Sequence, residues 1–152
     1  LIRGELGLEV ACLDFGGWDT HFVQGTIHPR LLRELGSGLA AFAQDLGSEL
    51  NRVTVLVMTE FGRRVYENSS AGTDHGRASC WMLLGGGIAG GRVLADWNGL
   101  DSDKLEPPGD VPVTIYYRDI LGEVIEKRLG NSHVHEVFPG FSFTTQGLTN
   151  GV

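Results

Sequence analysis

Apolar positions along this chain change their spacing several times, and each change predicts a different element. Leu8-Glu9-Val10-Ala11-Cys12-Leu13-Asp14-Phe15 reads as a strand, ended by Gly16-Gly17. After a loop to Ile27, Pro29 suits the first position of a helix, where a missing N–H costs nothing. Leu31, Leu32, Leu35, Leu39, Phe42 and Leu46 then recur at helical spacing, which predicts an amphipathic helix to about Leu50 with its apolar face on a sheet. Val53-Thr54-Val55-Leu56-Val57-Met58-Thr59 is a nearly continuous apolar run rich in β-branched residues, the pattern of a parallel-sheet strand covered on both faces. Cys80-Trp81-Met82-Leu83-Leu84 predicts another strand before Gly85-Gly86-Gly87. The polar stretch from Leu94 to Pro112 is expected to run over the surface. A last helix is expected over about Arg118 to Leu129, with Gly130 placed to end it. Strand, helix, strand, loop, strand predicts an α/β fold with a mostly parallel sheet flanked by helices.

Composition narrows the partners more than the fold. A chain of 152 residues can bury one substantial core, so a single domain over 1–152 is the expectation. The net charge of −7 and pI near 5.1 speak against nucleic acid or an anionic membrane surface as partner. No apolar run approaches the ~20 residues of a membrane span, and the polar opening is not a signal peptide. The chain opens on Leu1 rather than Met, as expected of a piece of a longer protein. Its two cysteines, Cys12 and Cys80, lie in apolar stretches without C-x-x-C spacing and read as buried thiols. The 23 glycines gather around the polar motifs instead of forming a repeat, so several loops need special backbone geometry.

Those motifs carry the candidate chemistry. Gly16-Gly17-Trp18-Asp19-Thr20-His21 and Gly72-Thr73-Asp74-His75-Gly76 each set a carboxylate beside an imidazole in a glycine-flanked turn. On a regular strand adjacent side chains point to opposite faces, so such a pair converges only from a bent backbone. Asp19, His21, Asp74 and His75 are the candidate metal ligands, a mixed oxygen and imidazole set that suits Zn or Mn ahead of Ca or Mg. The structural alternative is a pair of Asx-type turns with incidental histidines. Glu60 and Arg63, at the end of the second apolar strand, are candidate catalytic residues: Glu60 as an accessory ligand, a general base or the partner of Arg63. Arg63, with Arg64 and Arg77, could also clamp an anionic ester group. The alternative is a local ion pair on the surface. His28 is expected at a helix entrance, and His133 and His135 as exposed. No nucleophile motif is present: Gly-x-Ser-x-Gly is absent, and neither cysteine has a neighbouring histidine.

These segments, with Thr59-Glu60-Phe61-Gly62-Arg63, Gly85-Gly86-Gly87 and Val137-Phe138-Pro139-Gly140, resemble the "domain of unknown function 1501" family over most of the chain. The resemblance implies a bacterial, periplasmic or exported protein of the alkaline phosphatase and sulfatase superfamily, of which this chain is the carboxyl-terminal part. It implies an alkaline-phosphatase-like fold, here a partial domain, and a metal-dependent hydrolase of phosphate or sulfate esters on small molecules or glycans. The nucleophile and an early Asp ligand are then expected in the missing amino-terminal half. Asp19 and His21 match an Asp-then-His pair for one metal, although the superfamily spacing is usually wider. Asp74-His75 match in type an adjacent pair for the second, although that pair usually follows a strand directly, where this chain has Glu60-Phe61. The competing expectation is a non-catalytic exported binding or scaffold protein of the same fold.

Overall fold

A computed structural model describes residues 1–150 of the chain. Its contacts divide the described residues into two compact units, 1–47 with 59–80 and 98–112, and 48–58 with 81–97 and the described residues from 113 onward. Among the described residues, no helix is long and apolar enough to cross a membrane.

The first unit is built on helix α1, Gln24–Leu46. Leu31 and Leu46 are buried, with Leu35 and Leu39 half-buried between them, while Leu32 and Phe42 are exposed. The apolar stripe is therefore narrower than the leucine count suggests. The helix begins before Pro29 because its first orphan donors are satisfied from elsewhere. Gln24 N–H donates to the Ala71 carbonyl, and the N–H of Val23, just ahead of the helix, donates to Ser70. Val23 and Ala71 both hold positive φ, 45° and 56°, a costly conformation for side chains with a Cβ. The same unit holds a short antiparallel pair, β2 (Gly62–Arg63) with β3 (His75–Gly76), in the register Gly62↔Gly76 and Arg63↔His75.

The second unit pairs β1 (Thr54–Val57) antiparallel with β4 (Met82–Gly85), Val55 facing Leu84. It also holds α2 (Tyr117–Arg128) and α3 (Val134–Val137). Gly130, at φ 66°, follows α2 as its sequence position predicts. Glu123 on α2 is its most buried side chain, and its carboxylate accepts the backbone N–H groups of Gln146, Leu148 and Thr149 at 2.6, 2.6 and 3.1 Å. Those bonds compensate the desolvated charge and tie the tail to the helix.

The expected mostly parallel sheet flanked by helices does not form. The described residues contain only two antiparallel two-stranded sheets. A parallel neighbour needs a crossover that carries the chain back to the starting end of the strand, usually through a helix. The segment between β1 and β4 holds no helix; it turns through β2 and β3, and the apolar run 80–84 returns antiparallel to β1. The predicted first strand, Leu8–Phe15, pairs with no strand among the described residues and is exposed, Leu13 at 90%. Apolar alternation there met no partner edge. Both cysteines are exposed, against the expected burial, because Cys12 lies on that unpaired segment and Cys80 just ahead of β4.

Candidate metal centre

The Asp19–His21 loop is shaped by what lies beneath and beside it. Gly17, at φ 93°, sits over the Leu31 side chain, and Trp18 packs edge-on against Phe15 and His28 at 5.6 Å. Thr20 is buried; its hydroxyl lies 2.9 Å from His28 Nε2 and also bonds the Gln24 amide oxygen. His28 thus lies inside α1 and braces the loop. The Asp74–His75 segment is organised by Asn68. Asn68 Oδ1 accepts the N–H groups of Ser70 and Gly72 at 2.9 and 3.1 Å, closing an Asx-type turn that delivers the chain into β3.

Loop and strand meet at a cluster of four side chains. Asp19 Oδ1 lies 2.7 Å from His75 Nε2 and 3.1 Å from His21 Nε2. Ligand atoms of Asp19, His21 and His75 all fall within 4.8 Å of one another. Asp74 takes a different position: its Oδ1 lies 3.2 Å from His21 Nδ1, on the far side of that ring from Asp19. The Asn68 amide donates to the same oxygen at 3.2 Å and to the His21 carbonyl at 2.9 Å. A carboxylate on one imidazole nitrogen, fixing the ring so that the other faces a common point, is the usual arrangement behind a metal-bound histidine. His75 is held as well, stacked on Phe61 at 3.9 Å and 12°. The donor set fits a borderline divalent ion, with one carboxylate and two imidazoles from residues far apart in sequence. The four side chains are between 38% and 64% exposed, so solvent reaches all of them.

Arg63 and Glu60 occupy different settings. The Arg63 guanidinium is largely buried and donates to the carbonyls of Trp18, Thr20 and Thr73. Glu60 is exposed in the bend before β2. Arg64 lies 3.6 Å from Asp74 Oδ2 and 3.8 Å from Asp110 Oδ1, and Arg77 pairs with Glu106. His133 and His135 are exposed on and beside α3 in the second unit, as expected. Sequence reasoning missed Asn68 and Gln24. Asn68-Ser69-Ser70-Ala71-Gly72 carries the turn chemistry that could have flagged the first. Gln24 accepts from Thr20 and Thr73 at 3.3 and 2.7 Å, and nothing local marks it.

Both carboxyls of the cluster titrate below the ordinary value of 3.8. For Asp19 the main cause is the hydrogen bond from His75, with smaller contributions from the charges of His75, His21 and Arg63 against partial desolvation. For Asp74 it is the Asn68 amide first, then His21, with Arg64 adding its field. A carboxyl lowered in the folded state stabilises the fold above its unfolded pKa, and that contribution is lost as pH falls through the folded value. Both carboxyls are therefore expected to stay ionised down to about pH 4 and to lose their contribution to the fold only below it. Carboxyl 13C titration checks this: both midpoints are expected under 3.8, and midpoints at or above it mean that the His75 and Asn68 contacts do not form in solution.

Comparison with known proteins agrees with the motifs. No curated protein and no solved structure matches the chain. The family described as protein of unknown function (DUF1501) matches residues 3–138, a span that takes in all four side chains of the cluster. The chain belongs to the DUF1501 family.

Proposed function

We propose that Asp19, His21 and His75 hold a divalent metal ion, Zn or Mn ahead of Ca or Mg, in a hydrolase of phosphate or sulfate esters. The observation that carries this reading is the approach of three ligand atoms from two distant motifs to within 4.8 Å of one another. A metal bound there supplies Lewis-acid stabilisation of the charge that develops on an ester oxygen. Asp74 fixes the ring of His21, and Phe61 fixes that of His75. Thr20 beside His28 is too buried to serve as a nucleophile. The reading takes its nucleophile from upstream of this sequence, as the superfamily resemblance implies, and expects no ester hydrolysis from this chain by itself. Exposed Glu60 remains an accessory in this proposal, and the periplasmic or exported setting belongs to it too.

One observation favours the second reading, a non-catalytic binding or scaffold protein. Asp19 already bonds His75 and His21, so the cluster can be satisfied as a hydrogen-bonded network when the rings supply the protons. Elemental mass spectrometry of the purified chain after incubation with Zn(II) or Mn(II) and desalting separates the two. Near-stoichiometric metal is the expected result. No retained metal, in this chain or in the full-length protein, would sink the metal-centre reading and leave the scaffold.

A further inference from the structure

We infer that Arg63 is the positioning residue that assembles this centre, joining the Asp19–His21 loop to the Asp74–His75 strand from beneath, instead of a group that meets substrate. Its side chain is only 16% exposed, against 64% for Asp19 and 44% for His75. One guanidinium nitrogen donates to the carbonyls of Thr20, at 3.3 Å, and Thr73; another donates to Trp18. Trp18 and Thr20 flank Asp19, and Thr73 precedes Asp74. A single planar fork thus grips the backbone on both sides of Asp19 and just before Asp74.

The same residue reaches the centre by a second route. Arg63 lies directly across the β2–β3 pair from His75. Its guanidinium carbon lies 5.0 Å from the Phe61 ring centroid, and Phe61 stacks on His75. His75 in turn lies 4.8 Å from His21, ring to ring. With both terminal nitrogens on carbonyls, the buried guanidinium has little freedom to turn toward an ester outside. Lysine cannot reproduce it, because its single nitrogen occupies one position, whereas the contact to Trp18 and those to Thr20 and Thr73 come from two separate nitrogens of a rigid planar fork.

The inference rests on the metal-centre reading only for its affinity readout, since assembly of the cluster is read without metal. In the metal-free chain, NMR is expected to show contacts between the His21 and His75 rings and a ring-current shift of the His75 protons from Phe61. In Arg63→Lys and Arg63→Ala both signatures are expected to vanish while the signals of α2 hold their positions. Guanidinium added to Arg63→Ala is expected to restore them in part, and Zn(II) affinity to fall about 10- to 100-fold in either variant. Should Arg63→Ala not fold, Arg63→Lys decides alone, because it keeps both stem and charge. Unchanged ring contacts and ring-current shift in the lysine variant overturn the inference. Loss of those signatures in a protein whose parent takes up no Zn(II) sinks the metal reading and upholds the role of Arg63.

Discussion

His75→Ala is expected to abolish stoichiometric Zn(II) or Mn(II) binding, whereas Asp74→Ala weakens it by about 10- to 100-fold and leaves a site. The difference follows from where each side chain sits. His75 Nε2 and Asp19 Oδ1 meet at 2.7 Å, so a metal at the cluster would replace their mutual hydrogen bond with bonds to itself. Removing His75 leaves one carboxylate and one imidazole, too few ligands to keep a borderline ion against water. Asp19→Ala is expected to match it, because Asp19 is the one carboxylate within reach of both imidazoles, at 2.7 and 3.1 Å. Asp74 touches His21 through the opposite ring nitrogen, and its loss frees the ring without deleting a ligand. Competition with a chromophoric chelator ranks the three variants directly. Equal loss in Asp74→Ala and His75→Ala would make Asp74 a ligand and require a turned His21 ring. Full retention in His75→Ala would remove the metal from this cluster altogether.

The two long helices were legible in the sequence and the sheet was not. Helical spacing is a local signal: α1 and α2 need only their own leucines and isoleucines to declare themselves, and both are present, although α1 starts ahead of Pro29 and ends before Leu50. Strand pairing is not local. The runs 53–59 and 80–84 do become β1 and β4, but apolar content cannot tell a parallel neighbour from an antiparallel one. Leu8–Phe15 shows the same limit from the other side, a strand pattern with no edge to join among the described residues. The candidate cluster fared differently. Residue types and glycine-flanked turns were enough to single out Asp19, His21, Asp74 and His75, and the structure brings all four together. They meet through a two-residue antiparallel pair and the side chains of Arg63, Gln24 and Asn68. Such bracing residues have ordinary sequence surroundings, and only tertiary distance gives them a role.

Gly72→Ala is expected to lower stability by about 2–3 kcal/mol, the scale of forced overpacking, and to disrupt the cluster from behind. A Cβ at Gly72 would lie 2.3 Å from both the carbonyl carbon and the oxygen of His21, and 2.6 Å from the amide nitrogen of Phe22. All three atoms are backbone, so no rotamer change relieves the clash. The loop carrying His21 or the turn carrying Asp74 has to withdraw by roughly 1 Å to regain ordinary contact. Either motion stretches the bond from Asn68 to the His21 carbonyl and the bond between His21 and Asp74, at 2.9 and 3.2 Å. Metal affinity is then expected to fall along with stability. Gly36→Ala provides the contrast: Gly36 lies inside α1 with nothing within 4 Å of the added carbon, so alanine there is expected to stabilise by about 1 kcal/mol. Urea denaturation of the two variants reads the same chemical change with opposite sign. A neutral Gly72→Ala would mean that the Asn68 turn does not close against His21, and the shared placement of the two motifs would lose its structural basis.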